Sequence, residues 1–319
     1  MYCFPVECIA RVLSEFQFFP NFKNLGALRI FFPHRSMEDF YLLPSLDKYD
    51  RDWLSSPYRR LQSDVLRMLA KVHVDTGFHV NTLELHRLFA FPNAGVYAHG
   101  LQSFLTPVKS LYVSLIGVGS DDKPEYDAWE LYDRFMEDLM VILKAPTSLE
   151  SFTYSGDRFA HGLTAAQWDQ LTYPHLKHIC LEDIILGNMC ILGTAQSKEH
   201  NYTCFINRHK ATLERLELLS CVRHISQLRS NNNPEECVTW SDLFEIFNDE
   251  LQSLVEFTIN PLPGRDADKE AEFFGCYMWY DDQGGYRTDF LRDPVDPDAD
   301  RLALARFQEK LAGRRRDHL

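Results

Sequence analysis

No stretch of this 319-residue chain approaches the roughly 18 consecutive apolar residues of a membrane-spanning helix, so no membrane span or membrane partner is expected. The N-terminal segment MYCFPVECIARVLSEF is interrupted by Glu7, Arg11 and Glu15, unlike a secretory signal peptide. Cysteine pairs of the C-x-x-C type are missing. The eight cysteines stand scattered at positions 3, 8, 180, 190, 204, 221, 237 and 276. They read as reduced thiols, several of them buried, of a cytoplasmic or nuclear protein. Positive charge is short, with 33 Lys and Arg against 46 Asp and Glu and a formal charge of −13. The pI lies near 5.4. Nucleic-acid binding draws most of its affinity from neutralising phosphates with Lys and Arg, so no nucleic-acid partner is expected. The one dense basic cluster, GRRRD at Gly313 to Asp317, reads as a solvated terminus. The phosphate-cradling pattern G-x-x-x-x-G-K-[ST] does not occur, and DDQGG and GVGSDD read as turns. Asn201 in NYT fits a glycosylation acceptor, which has no meaning without a secretory route.

What is present is a recurring apolar frame. FINRHKATLERLELLSC, Phe205 to Cys221, places Leu213, Leu216 and Leu218 in an L-x-x-L-x-L spacing with Glu214, Arg215 and Glu217 between them. The same frame falls on Leu25, Leu28 and Ile30, on Val80, Leu83 and Leu85, and on Val108, Leu111 and Val113. It returns on Leu149, Phe152 and Tyr154, on Leu176, Ile179 and Leu181, and on Leu254, Phe257 and Ile259. Interleaved positions are mostly polar or small, as in short strands with alternating faces.

Six of the seven frames follow a segment of helical period. Ile9, Val12, Leu13 and Phe16 keep one face, and so do Leu61, Val65, Met68, Leu69 and Val72. The longest stripe runs from Tyr126 through Trp129, Phe135 and Leu139 to Leu143, before Pro146, and reads as core. Thr164 with Gln167 has the spacing of a capping box, and Thr239 reads as the N-cap of the helix bearing Trp240, Leu243, Phe244, Phe247 and Leu251. Strand, helix and strand of one orientation force parallel pairing. The expected fold is therefore α/β: an irregular leucine-rich-repeat-like solenoid, or horseshoe, with a parallel sheet on the concave face and helices outside. It is expected over residues 1–262. Residues 263–300 read as loop and a hairpin that caps the last repeat, and 301–319 as a C-terminal helix fraying into the basic tail.

The segment FINRHKATLERLELLSC resembles the F-I-x-x-H-x-x-T-L-x-x-L-x-L-x-x-C stretch of fungal F-box proteins, which carry a degenerate leucine-rich-repeat region. The resemblance takes in RFAHGLTAAQWDQLTYPHLKHICLEDIIL and TWSDLFEIFNDELQSLVEFTI, and more loosely FPNFKNLGALRIFF, covering roughly residues 9–262. It implies a non-enzymatic module that presents a protein substrate to a cullin-RING ubiquitin ligase. In that family an N-terminal F-box docks the Skp adaptor. FPVECIARVL carries part of an F-box opening phrase, but FPNFKNLGALRI follows at once and leaves no room for the remaining helices. The chain thus resembles the recognition half without the docking half. Skp adaptor and cullin are partners only if an F-box is supplied or a remnant survives.

Binding residues are sought on the outward face of the strands. Between the second and third frame positions stand Glu84, Tyr112, Thr153, Cys180, Glu217 and Thr258. His178 and Arg215 join them, with His86, Tyr97, Glu182 and Glu256 as neighbours that widen the surface. Tyr and Arg are enriched at binding hot spots, which makes Tyr112 and Arg215 the sharper candidates. His175, His178 and Cys180 are of metal-ligand type, but no second cluster completes a zinc set, so no metal or cofactor is expected. No catalytic residue is assigned. His209 reads as a structural histidine between helix and strand. Two alternatives stay open: a hydrolase using His178 or His209 with nearby carboxylates or thiols, and a truncated paralogue that recognises nothing.

Overall fold

The computed structural model describes residues 25–32, 57–90, 92–116, 127–156, 168–186, 202–226, 239–260, 277–280, 291–292 and 296–317. The stripe at Ile9 to Phe16, the FPVECIARVL phrase, the Thr164–Gln167 spacing and the DDQGG turn lie outside them, as do the side chains of Trp129 and Tyr132. The chain divides into two compact units, Met1–Leu149 and Glu150–Leu319. It is α/β, and the main strands pair in parallel within each unit.

In the first unit β1 (Ala27–Phe31), β2 (Thr82–Phe89) and β3 (Ser110–Ile116) pair in that order. Between them lie α1 (Pro57–Thr76), a 3-10 turn (Ala94–Tyr97) and α2 (Leu101–Leu105); α3 (Asp127–Lys144) follows. The frame residues Leu83, Leu85, Leu111 and Val113 are buried, as are Val65, Leu69 and Val72 of α1. A period of two on the strands and 3.6 on the helices thus meets in one core. Gly95 lets the 3-10 turn lie directly against α1, because a Cβ there would stand 2.4 Å from the Ser63 carbonyl oxygen. Buried Gln62 closes the end of β2, accepting from the Phe89 amide at 2.9 Å.

In the second unit β4 (Ser151–Ser155), β5 (His178–Glu182), β7 (Arg215–Leu219) and β9 (Glu256–Asn260) pair in that order, all parallel. The intervening helices are α4 (Tyr202–Arg208) and α5 (Trp240–Glu250). Beneath the strands Phe152, Tyr154, Trp168, Tyr173 and Phe205 are buried together. Thr239 caps α5 as expected, its hydroxyl accepting from the Asp242 amide while Asp242 accepts from the Thr239 amide.

Two features of this unit differ from the sequence reading. Beyond β5 and β7 the chain turns through Asp183 and Ser220, both at φ 53°, into β6 (Ile185–Leu186) and β8 (Val222–Ser226). These pair in parallel with each other, and β8 pairs with β10 (Tyr277–Tyr280) to build a second sheet. β10 pairs antiparallel with β11 (Leu291–Arg292), Met278 opposite Leu291, and its other neighbour is β8 rather than β9.

The last parallel unit is covered instead by α6 (Pro297–Asp317), whose Phe307 packs 5.1 Å from the Phe257 ring. Here the basic cluster is put to work. Arg314 donates to the carbonyl of Asn248, in the last turn of α5, and to those of Leu251 and Leu254 just beyond the helix.

Gly95→Ala is expected to lower stability by roughly 1–3 kcal/mol, since the added methyl meets backbone that cannot yield without moving α1. Urea unfolding of the full chain followed by circular dichroism reads this directly; an unchanged midpoint would contradict the close approach.

Candidate functional site

Register decides which side chains become neighbours. In the first unit Arg29 stands opposite Glu84, and Glu84 opposite Tyr112. In the second, one row runs Thr153, Cys180, Glu217, Thr258, and the row beside it runs Ser151, His178, Arg215, Glu256. All eight candidate residues therefore fall in rows of paired strands, two of them in the first unit and six in the second. Tyr97 does not: it ends the 3-10 turn, 64% exposed, and the Asp138 carboxylate it bonds raises its phenol to about 12.

In the first unit Glu84 gathers its neighbours. Its carboxylate accepts from Arg29 at 2.9 Å and from His86 at 2.8 Å. The Arg29 hydrogen bond is the main reason the Glu84 carboxyl lies below the ordinary carboxylate range, with burial opposing the shift. Its contribution to stability is thus present above the unfolded-state value near 4.3 and is lost as pH falls through the lower folded-state value. The His86 ring is stacked between Phe31 at 4.2 Å and Tyr112 at 4.3 Å, a ribbon of three rings across three strands. Phe31, at its edge, is 60% exposed. The amide of Arg87, in the left-handed region at φ 63°, donates to the Ser114 hydroxyl at 2.8 Å.

The face of the second unit is held by a line of hydrogen bonds. Ser151 Oγ lies 2.9 Å from His178 Nδ1, and His178 Nε2 lies 2.8 Å from Glu217 Oε1. A carboxylate can only accept, so Nε2 carries the proton. Arg215 bonds the same Glu217 oxygen at 2.9 Å and reaches Glu256 at 3.6 Å on its other side. Cys180 sits in the row but is only 6% exposed. Burial, with Glu217 and Glu182 adding to it, pushes its thiol up to about 12, so it is neither a thiolate nucleophile nor a ready metal ligand near neutrality. Among the described residues no three His, Cys, Asp or Glu side chains gather as a metal site, and no helix is long and apolar enough to cross a membrane.

His209 is elsewhere, inside the core. Its Nε2 accepts from the Tyr173 amide at 2.9 Å, so Nδ1 must carry the proton it donates to the Phe205 carbonyl at 2.8 Å. Both ring nitrogens are spent on backbone, which leaves no base for catalysis. This is the structural role its place between helix and strand suggested.

Ser151, Arg29 and Phe31 went unnamed in the sequence, although a signal for the first was available. Ser151, His178, Arg215 and Glu256 each stand one residue before the second frame position. The period of two puts that position on the same face as the residue that follows the second frame position.

Set beside known proteins, the chain matches no family model, no curated protein and no solved structure.

Burial also holds the His209 imidazole below its ordinary value. The unfolded chain then takes up a proton first. Stability from this group is complete above the unfolded-state value near 6.5 and declines as pH falls below it, through the folded-state value. His209→Phe is expected to cost about 1–3 kcal/mol at pH 7, by leaving the Tyr173 amide and Phe205 carbonyl unpaired. It is also expected to flatten the loss of stability between about pH 7 and 5. Thermal unfolding across that range tests both; an equally steep pH dependence in the variant would exclude His209 as its source.

Proposed function

We propose that this chain is a protein-recognition module, with the outward rows of the parallel strands in each unit as surfaces that meet a partner. The observation that carries this reading is the lateral linkage of the rows. Arg29, Glu84, His86 and Tyr112 are joined across β1, β2 and β3, and Ser151, His178, Glu217, Arg215 and Glu256 across β4, β5, β7 and β9. Side chains locked strand to strand form a pre-organised patch, which lowers the entropy cost of binding a macromolecule. The half-exposed Arg215 and the ring ribbon ending in Phe31 supply the aromatic and guanidinium anchors common at hot spots.

The resemblance of residues 9–262 to fungal F-box proteins gives the reading its finer form. The strand–helix units are then leucine-rich-repeat-like turns of an irregular horseshoe, and the partner is a protein substrate. Ubiquitin transfer, in the cytoplasm or nucleus, occurs on a cullin-RING ligase that the chain joins through the Skp adaptor only where an F-box is supplied or a remnant survives. A hydrolase is the second reading, favoured by one observation: the hydrogen bonds that join His178 to both Ser151 and Glu217.

The test is a pull-down of the tagged full chain from fungal lysate, with immunoblots for the Skp adaptor and cullin and mass spectrometry for a client. A client is expected with the native chain, and both ligase subunits accompany it where an F-box remnant survives. Tyr112→Ala combined with Arg215→Ala should lose the client by at least about tenfold, the effect of one or two hot-spot contacts, and leave any captured ligase subunits in place. A client retained by the double variant would remove the face from the account, and absence of adaptor and cullin would remove the ligase connection.

A further inference from the structure

We propose that Ser151 is a nucleophile, activated by His178, that accepts the acyl group of a carboxylic ester. The inference deepens the hydrolase reading, on which it rests, and stands whether or not the face binds a partner.

Three adjacent parallel strands supply the parts. Ser151 opens β4, His178 stands opposite it on β5, and Glu217 lies on β7, two residues past the Arg215 that faces His178 and on the same face. The start of β5 is fixed beside Ser151 because the Glu150 carbonyl accepts the amides of both Lys177 and His178, at 2.9 and 3.1 Å. With Nε2–H committed to Glu217, the lone pair of Nδ1 faces the Ser151 hydroxyl at 2.9 Å. Hydroxyl, imidazole and carboxylate are thus joined in the order that general-base activation of a serine needs. The ring is used in reverse of the familiar serine-hydrolase order, with the hydroxyl on Nδ1 and the carboxylate on Nε2, but the direction of proton flow is the same. Arg215 holds Glu217 from the other side and, like Glu217, is a positioning residue. The His178 side chain is 26% exposed and that of Glu217 16%, partly desolvated yet open to a substrate from one side.

In the first step the Ser151 Oγ–H bond gives its proton to Nδ1 while Oγ bonds the ester carbonyl carbon. The tetrahedral intermediate collapses, its bond to the leaving oxygen breaks, and the imidazolium returns the proton to the departing alcohol. Water then attacks the acyl-serine, passing a proton through Nδ1 back to Oγ, and a carboxylic acid leaves. No oxidation or reduction is involved. The central strand β5 pairs on both sides, so its amides are spent in the ladders rather than free to stabilise an oxyanion. A single such donor is worth about 10²–10³ in rate. The substrate class is accordingly esters with good leaving groups, such as aryl esters, rather than amides, and deacylation is slow.

The test uses the full chain with a fluorophosphonate probe, and separately with p-nitrophenyl acetate. One probe per chain is expected, mapped to Ser151 by peptide mass spectrometry, together with a stoichiometric burst of nitrophenol that Ser151→Ala abolishes. Ser155 is an internal control: it shares the strand and face but stands opposite Glu182 and should stay unlabelled. His178→Gln should slow labelling at least about 100-fold, the loss of a general base. Glu217→Gln should slow it too, with Glu217→Asp restoring part of the rate, a recovery that mere structural support would not produce. Each variant is first shown to unfold at the native temperature. An unlabelled Ser151 in the native chain, or equal labelling rates in native and folded His178→Gln chains, would overturn the proposal.

Discussion

Parallel pairing in one fixed register is the constraint on which everything else in this protein rests. Because side chains alternate with a period of two, one residue of slip would carry Phe152, Ile179, Leu216 and Phe257 out of the core and bring Ser151, His178, Arg215 and Glu256 into it. The first set is apolar and, apart from Phe257, fully buried; the second is polar and charged. Burying an unpaired charge costs several kcal/mol, so the apolar frame selects a single register. That same selection brings His178 beside Ser151 and Glu217, which lie far apart in the chain. The chemistry of the face is a by-product of packing on its other side.

A second consequence follows where the strands end. Asp183 and Ser220 each occupy the left-handed region two residues after the third frame position, Leu181 and Leu218, and Arg87 does so after Leu85. Such residues cost roughly 1 kcal/mol or more, and persist when surrounding contacts over-determine them. Here the Asp183 amide donates to the Leu219 carbonyl, that of Ser220 to Asn260, and that of Arg87 to the Ser114 hydroxyl. In the second unit the turn redirects the chain into β6 and β8, and Cys221 bonds back to the Leu181 carbonyl at 3.3 Å. Burial raises its thiol well above the ordinary range, in keeping with a structural rather than reactive cysteine.

The seven main strands were legible because a three-position apolar frame is a strong signal when polar residues fill its gaps. Each of β1, β2, β3, β4, β5, β7 and β9 carries the last two positions of one frame. The second sheet was not legible. β6 has two residues, and its turn is made by Asp183 rather than by a glycine that would announce a left-handed conformation. The role of Arg314 was hidden as well: a basic run reads as solvated unless one knows that the carbonyls of α5 end beside it. At the face, the rule that named Glu84, Tyr112, Thr153, Cys180, Glu217 and Thr258 counted one outward position per strand. The neighbouring outward position holds Ser151, whose importance appears only when β4 and β5 are aligned.

The central claim is the register itself, and cross-strand nuclear Overhauser effects measure it most directly. In a deuterated full chain with protonated Ile, Leu, Val and Phe side chains, contacts are expected from Ile179 to Leu216 and on to Phe257, and from Leu181 to Leu218 and on to Ile259. A pattern displaced along the strand, with Leu181 beside Leu216, would put different residues opposite His178 and contradict the account.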